Sequence, residues 1–156
     1  MVFRDLIEAA RTPATINWRY INGDLFGEFL AKDQKFEIEV TRLDNVVEVY
    51  QFKFYRDNKT EMFNDMEYAL IVVPTIKSAV DYTMTKLKPD VLLFASSDNS
   101  KARKSMYKSY SEELSKKFKY NSIARSKTLM DAGFSTDIIF GVYKNENILK
   151  ELLAEF

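Results

Sequence analysis

Two absences define what chemistry this chain can do: neither histidine nor cysteine occurs among its 156 residues. That removes thiol nucleophiles, disulfides, zinc-thiolate sites, the Ser-His-Asp arrangement and imidazole-based metal sites. What remains is a concentration of cationic side chains interleaved with tyrosines. Lys101, Arg103, Lys104, Lys108, Lys116 and Lys117, followed by Lys119, Arg125 and Lys127, face only Glu112 and Glu113 over the same stretch. Nine basic residues against two acidic ones give this segment about +7 and leave the rest of the chain about −7, although the formal net charge is zero. Such a field attracts nucleic acid, a nucleotide-bearing cofactor or an acidic protein. Tyr107, Tyr110 and Tyr120 supply rings on which bases could stack. The same charges also suit a solvated helix face, and the tyrosines an apolar stripe packed on a sheet.

The elements that would position these groups follow from the hydrophobic period. Residues 1–11 (MVFRDLIEAAR) place Phe3, Leu6, Ile7 and Ala10 at helical spacing, and Thr12-Pro13 ends that helix. From Thr15 the period becomes two: Ile16, Trp18 and Tyr20 alternate with polar residues, and Asn22-Gly23-Asp24 marks a turn. Leu25–Ala31, a strand bearing Phe36, Ile38 and Val40, and Val46–Tyr55 follow, joined by turns at Lys32-Asp33-Gln34 and Asp44-Asn45. Four strands in succession predict an antiparallel meander. The second half changes character. Tyr68–Val73 reads as a strand buried on both faces, Thr75–Leu87 as a helix capped by Thr75, and Val91–Ala95 as another buried strand. A helix capped by the Ser97–Ser100 segment runs to about Phe118, Thr136–Tyr143 is a last core strand, and Ile148, Leu149, Leu152, Leu153 and Phe156 stripe a C-terminal helix. Residues 119–134 are ambiguous. This order predicts an α+β mixed sheet in one domain spanning 12–156, with Tyr68–Val73 and Val91–Ala95 as parallel neighbours across their helix. The longest apolar run, Ala69–Pro74, is far short of the roughly 20 residues a membrane crossing needs.

In architecture the chain resembles the GNAT acetyltransferase superfamily, where a meander precedes a strand-helix-strand-helix-strand series. The stretch LLFASSDNSKARKSMYKSYSEELSKKFKY is similar to that superfamily's strand-to-helix segment, with Ser100, Arg103, Met106 and Tyr107 in matching positions and Asn99 one position out of register. The resemblance implies Tyr107 as general acid toward a departing CoA thiolate, with acetyl-CoA as cofactor. It also implies a glycine-bearing loop ([Q/R]-x-x-G-x-[G/A]) at a helix start, to hold the CoA pyrophosphate on backbone N–H groups. Here the matching positions run from Val73 to Ser78 with no glycine, and Pro74 removes a donor, leaving Thr75, Ile76 and Lys77 to offer N–H groups.

The first ten residues, MVFRDLIEAA, resemble the capsid-targeting leaders of internal head proteins in large tailed bacteriophages, in which a prohead protease cuts after the glutamate of an [L/I]-x-E motif. The matching residues are Leu6, Glu8 and Ala9, with Phe3 and Asp5 also in pattern. Together the two resemblances imply a phage accessory or internal head protein on a GNAT-like scaffold. It would work in the host cytoplasm or phage head by binding a host or virion macromolecule, with no catalysis, cofactor, metal or membrane. An acyl-CoA-dependent N-acetyltransferase using Tyr107 is the enzymatic alternative. Nucleic-acid binding through residues 101–127 is a further one. Val46–Tyr55, with large apolar groups on both faces, is the candidate contact for a protein partner or a homo-oligomer.

Overall fold

The computed structural model describes residues 13–32, 34–43, 48–56, 66–95, 101–124, 138–144 and 147, with backbone alone at 66–69, 95, 101–104, 123–124 and 138–140. The strands are β1 (Asn17–Ile21), β2 (Asp24–Ala31), β3 (Gln34–Arg42), β4 (Val49–Arg56), β5 (Val91–Ala95), β6 (Asn121–Ala124) and β7 (Ile138–Tyr143). Two helices lie among the described residues, α1 (Met66–Leu87) between β4 and β5 and α2 (Lys101–Phe118) between β5 and β6. All seven strands form one mixed sheet in the order β1-β2-β3-β4-β5-β7-β6.

The meander forms where alternation and turn chemistry agree. Asn22 and Gly23 hold φ of 51° and 89°, the left-handed pair that a two-residue hairpin turn requires, and Ile21 pairs with Asp24 across it. Leu25, Phe29, Phe36, Ile38, Val40, Phe52 and Phe54 then fall on one face and are buried there, while Glu28, Lys35, Glu37 and Lys53 occupy the other. At Gly27, paired with Trp18, the missing side chain makes room for the Ile16 and Trp18 side chains. A Cβ at that position would lie 2.9 Å from Ile16 Cγ2 and 3.1 Å from the Trp18 ring.

The expected strand Tyr68–Val73 does not exist; these residues belong to α1. A short apolar run reads the same in a buried strand as in a buried helix, and here the period continues unbroken: Val72, Val73, Ile76, Val80 and Met84 make one core-facing stripe. The proline that marked a boundary is inside the helix. Pro74 gives no N–H to the Leu70 carbonyl, and hydroxyls serve the carbonyls beside it. Thr75 Oγ1 donates to the Ile71 carbonyl (2.6 Å), and Tyr110 Oη on α2 donates to the Val73 carbonyl (2.7 Å). The parallel neighbour of β5 is accordingly β4, in register from Val49↔Val91 to Phe52↔Phe94, with α1 as the crossover.

Both helices cover the same face. Met106, Tyr107, Tyr110 and Leu114 of α2 join the α1 stripe over the sheet aromatics. Each helix closes on a lysine in the left-handed region: Lys88 (φ 46°), whose N–H donates to the Met84 carbonyl (3.1 Å), and Lys119 (φ 61°). β5 is buried on both faces, as its run of apolar residues suggests. β7 lies between β5 and β6, antiparallel to each, and the ambiguous stretch after α2 opens as strand β6. The expected leader at 1–11, the expected cap at Ser97–Ser100 and the expected C-terminal stripe from Ile148 to Phe156 lie outside the described residues. Among the described residues no helix is long and apolar enough to cross a membrane.

Candidate functional site

Three groups of residues carry expected chemistry; the fold buries the first and brings Lys77 of the second beside Lys116 and Lys117 of the third. The first is Tyr107. The second turn of α2 directs its ring at the sheet, where β4 and β5 stop pairing after Phe52↔Phe94. It stacks on Phe94 (ring centroids 5.0 Å apart, 16° between planes) and meets Phe54 edge-on at 6.3 Å and 85°. The side chain is 0% exposed. Interlocking rings of this kind contribute on the order of 1 kcal/mol per pair beyond the area they bury.

The second group is Thr75, Ile76 and Lys77, expected to open a helix with free N–H groups. They lie in the middle of α1, so the helix start on which that expectation rests is not at Thr75. Thr75 and Ile76 are fully buried. Thr75 Oγ1 accepts a hydrogen bond from the Ala14 N–H (2.7 Å) besides donating to Ile71, so its hydroxyl ties the chain before β1 to the helix. Lys77 points out of the helix and pairs with Glu113 Oε2 at 3.1 Å.

The third group is the basic segment. Lys108 and Lys116 are exposed on α2, and Lys117 pairs with Asp81 of α1 at 3.3 Å. Lys101, Arg103 and Lys104 lie in the first turn of α2, with side chains outside the described residues. The two cross-helix pairs, Lys77–Glu113 and Asp81–Lys117, run in opposite senses and floor a groove of about 410 Å³ that Lys116 also lines. Exposed pairs of this kind contribute about 0–1 kcal/mol each, so they set the register of the two helices more than they hold them together. The tyrosines expected to stack on bases do not point into solvent. Tyr110 is buried, which pushes its phenol well above the usual range and keeps it a donor. Tyr120 Oη donates to the Pro89 carbonyl (2.6 Å), and burial, then the charges of Asp90 and Glu48, raise it also.

On the opposite face of the sheet, a constellation that the sequence reading did not single out joins β1 through β4. Tyr55 Oη donates to Glu39 Oε1 at 2.5 Å, and burial followed by the hydrogen bond to that glutamate raises the phenol far above its usual range. Glu28 and Glu37, directly opposite one another, share Lys35 (3.5 and 3.6 Å), and Arg19 reaches Glu28 at 3.5 Å. The period-two spacing of Glu37 with Glu39 and of Lys53 with Tyr55 carries the signal for this ladder. On the helix-covered face, at the outer edge, Trp18 stacks on Tyr82 of α1 (4.7 Å, 19°), and Lys86 lies 5.9 Å from the Tyr20 ring centre. No cluster of three or more acidic side chains among the described residues could hold a metal ion. Val46–Tyr55 falls partly outside the described residues; its described part is the interior strand β4, whose Val49, Tyr50, Phe52 and Phe54 are buried within the fold. Leu6, Glu8 and Ala9 lie outside the described residues.

No protein-family model, curated protein or solved structure matches this chain.

Proposed function

We propose that the chain is a binding protein on a GNAT-like scaffold, a phage accessory or internal head protein that acts on a host or virion macromolecule rather than by acyl transfer. The observation that carries the non-catalytic half is the enclosure of Tyr107. A general acid must come within hydrogen-bond reach of the group it protonates, about 2.6–3.2 Å. The only side chain the GNAT resemblance puts in that role is sealed between Phe54 and Phe94. The scaffold half is supported by the four-strand meander, the parallel β4–β5 pair with α1 as its crossover, and α2 leading into two further strands.

Val73–Ser78, the stretch matching a pyrophosphate loop, lies within α1 (Met66–Leu87) rather than ahead of a helix start. Val73–Ser78 contains no glycine; the four glycines of the chain are Gly23, Gly27, Gly133 and Gly141. Close backbone approach to a diphosphate depends on such residues.

A thermal shift experiment tests this half. Acetyl-CoA at millimolar concentration is expected to leave the unfolding midpoint unchanged. Stabilisation approaching the ~2.7 kcal/mol that a ligand at 100 times its Kd confers would overturn it. The leader-like Leu6-Ile7-Glu8 supports packaging, which mass spectrometry of the encoding phage's purified virions tests. A species beginning at Ala9 is expected, and virions lacking the protein would refute packaging.

A further inference from the structure

The binding reading names no surface, and the edge of the sheet supplies one. β1 faces β2 only from Asn17↔Glu28 to Ile21↔Asp24, whereas β2 continues to Ala31. Three residues of β2, about 10 Å at the rise of a strand, therefore have no strand on their outer side among the described residues. The chain ahead of β1 does not extend the ladder because the Ala14 N–H is bound to Thr75 of α1. The result is a cleft of about 430 Å³ lined by Ala14, Thr15, Asn17, Phe29, Leu30 and Lys35, with Glu28 at its inner end.

The direction of the free backbone groups follows from both hairpins. A two-residue turn makes the pair that closes it a hydrogen-bonded pair. Closure at Ile21↔Asp24 turns the N–H and C=O of Asp24, Phe26 and Glu28 toward β1, and alternation turns those of Leu30 the same way. Closure at Ala31↔Gln34 turns Ala31 and Phe29 toward β3, in agreement. Leu30 thus holds a donor and an acceptor out toward the cleft, beside a side chain that is 62% exposed.

We propose that this notch takes an extended peptide segment of a partner protein, added as a short strand outside β2 and paired with Leu30. Only an extended backbone offers N–H and C=O groups at the spacing a strand edge presents. Among the described residues the charges beside the notch compensate one another, Glu28 with Arg19 and Lys35 and Glu37 with Lys35, which favours a peptide over a polyanion. The peptide residue opposite Leu30 is aliphatic, because a directly paired side chain covers that leucine. The proposal rests on the binding reading only in requiring a partner, and it concerns the far side of β3 from Tyr107.

Amide hydrogen exchange followed by NMR, with a terminally blocked hexapeptide of alternating valine and threonine as probe, tests it. In the free protein the Leu30 amide is expected to exchange faster than those of Phe29 and Ala31, and millimolar probe should slow it at least about tenfold. Leu30→Pro deletes only the outward N–H, which an edge position tolerates; it should keep the far-UV spectrum and abolish the chemical-shift changes that the probe causes at the neighbouring Phe29 and Ala31 amides. Leu30→Lys, which keeps the N–H and removes the apolar contact, should weaken the probe and serves if the proline variant does not fold. Absence of protection at millimolar probe, or protection unchanged in Leu30→Lys, overturns the proposal. So does protection of Leu30 by self-association alone, which assigns the edge to a second copy, or by a single-stranded oligonucleotide. Stabilisation by acetyl-CoA would sink the non-catalytic reading and leave this result standing.

Discussion

Tyr110→Phe removes one oxygen from the centre of the molecule, and the structure says what that costs. The hydroxyl donates to the Val73 carbonyl at 2.7 Å across the α1–α2 interface, from a side chain only 1% exposed. A typical buried hydrogen bond contributes about 0.5–1.5 kcal/mol net, and an acceptor left dry adds to the loss. The residue before Pro74 keeps its other lone pair for the helix, so about 1–1.5 kcal/mol is expected overall, or roughly 2–6 °C in Tm for a chain of this size. Urea unfolding measures it as a lower midpoint at constant slope. An alkaline series supplies an independent check. Burial holds the folded-state pKa well above 10, so the unfolded chain loses this proton first and stability falls as pH rises past 10. The wild type should therefore lose up to about 1.4 kcal/mol more per pH unit than the variant above pH 10, narrowing the gap between them. A variant as stable as the wild type near pH 7, or a gap that does not narrow at high pH, would refute the reasoning.

Gly27→Val puts branched carbons where Ile16 Cγ2 and the Trp18 ring already sit, and overpacking of this kind costs about 1–3 kcal/mol. The chain has a single tryptophan, so a shifted Trp18 emission maximum reports the displacement directly. Lys119→Gly relieves a left-handed residue at the end of α2 and is expected to stabilise by up to about 1 kcal/mol, read as a higher thermal midpoint; a lower midpoint would count against the cap assignment.

The meander was legible because two signals coincide over it: apolar residues alternate from Leu25 to Phe54, and Asn22-Gly23 can hardly be anything but a tight hairpin turn. The boundary at Pro74 misled because one of the two hydroxyls that serve the carbonyls beside it comes from another helix. Tyr110 is 37 positions from the Val73 carbonyl it serves, and no local pattern announces its hydroxyl. The error then propagated, moving the parallel neighbour of β5 from β4 to residues that are helical. Of the expected site, the basic character of α2 was visible as composition, but its pairing was not: Asp81 and Glu113 are unremarkable in sequence and meet Lys117 and Lys77 only because the helices lie side by side. The open end of β2 was hidden for a related reason. Where β1 leaves the ladder depends on a hydrogen bond from Ala14 to a threonine 61 positions on.

The parallel β4–β5 contact also sets an order of assembly. The hairpins linking β1 to β4 close over two to a few residues, whereas the four paired positions from Val49↔Val91 to Phe52↔Phe94 come together only when α1 brings the chain back. Loop-closure entropy makes such non-local contacts slow to form. On that ground the first half of the chain is expected to organise early and the seam between halves to gate folding: in stopped-flow refolding, substitutions at Val49 or Leu92 should slow the rate, and changes in the Asn22-Gly23 turn should alter it less.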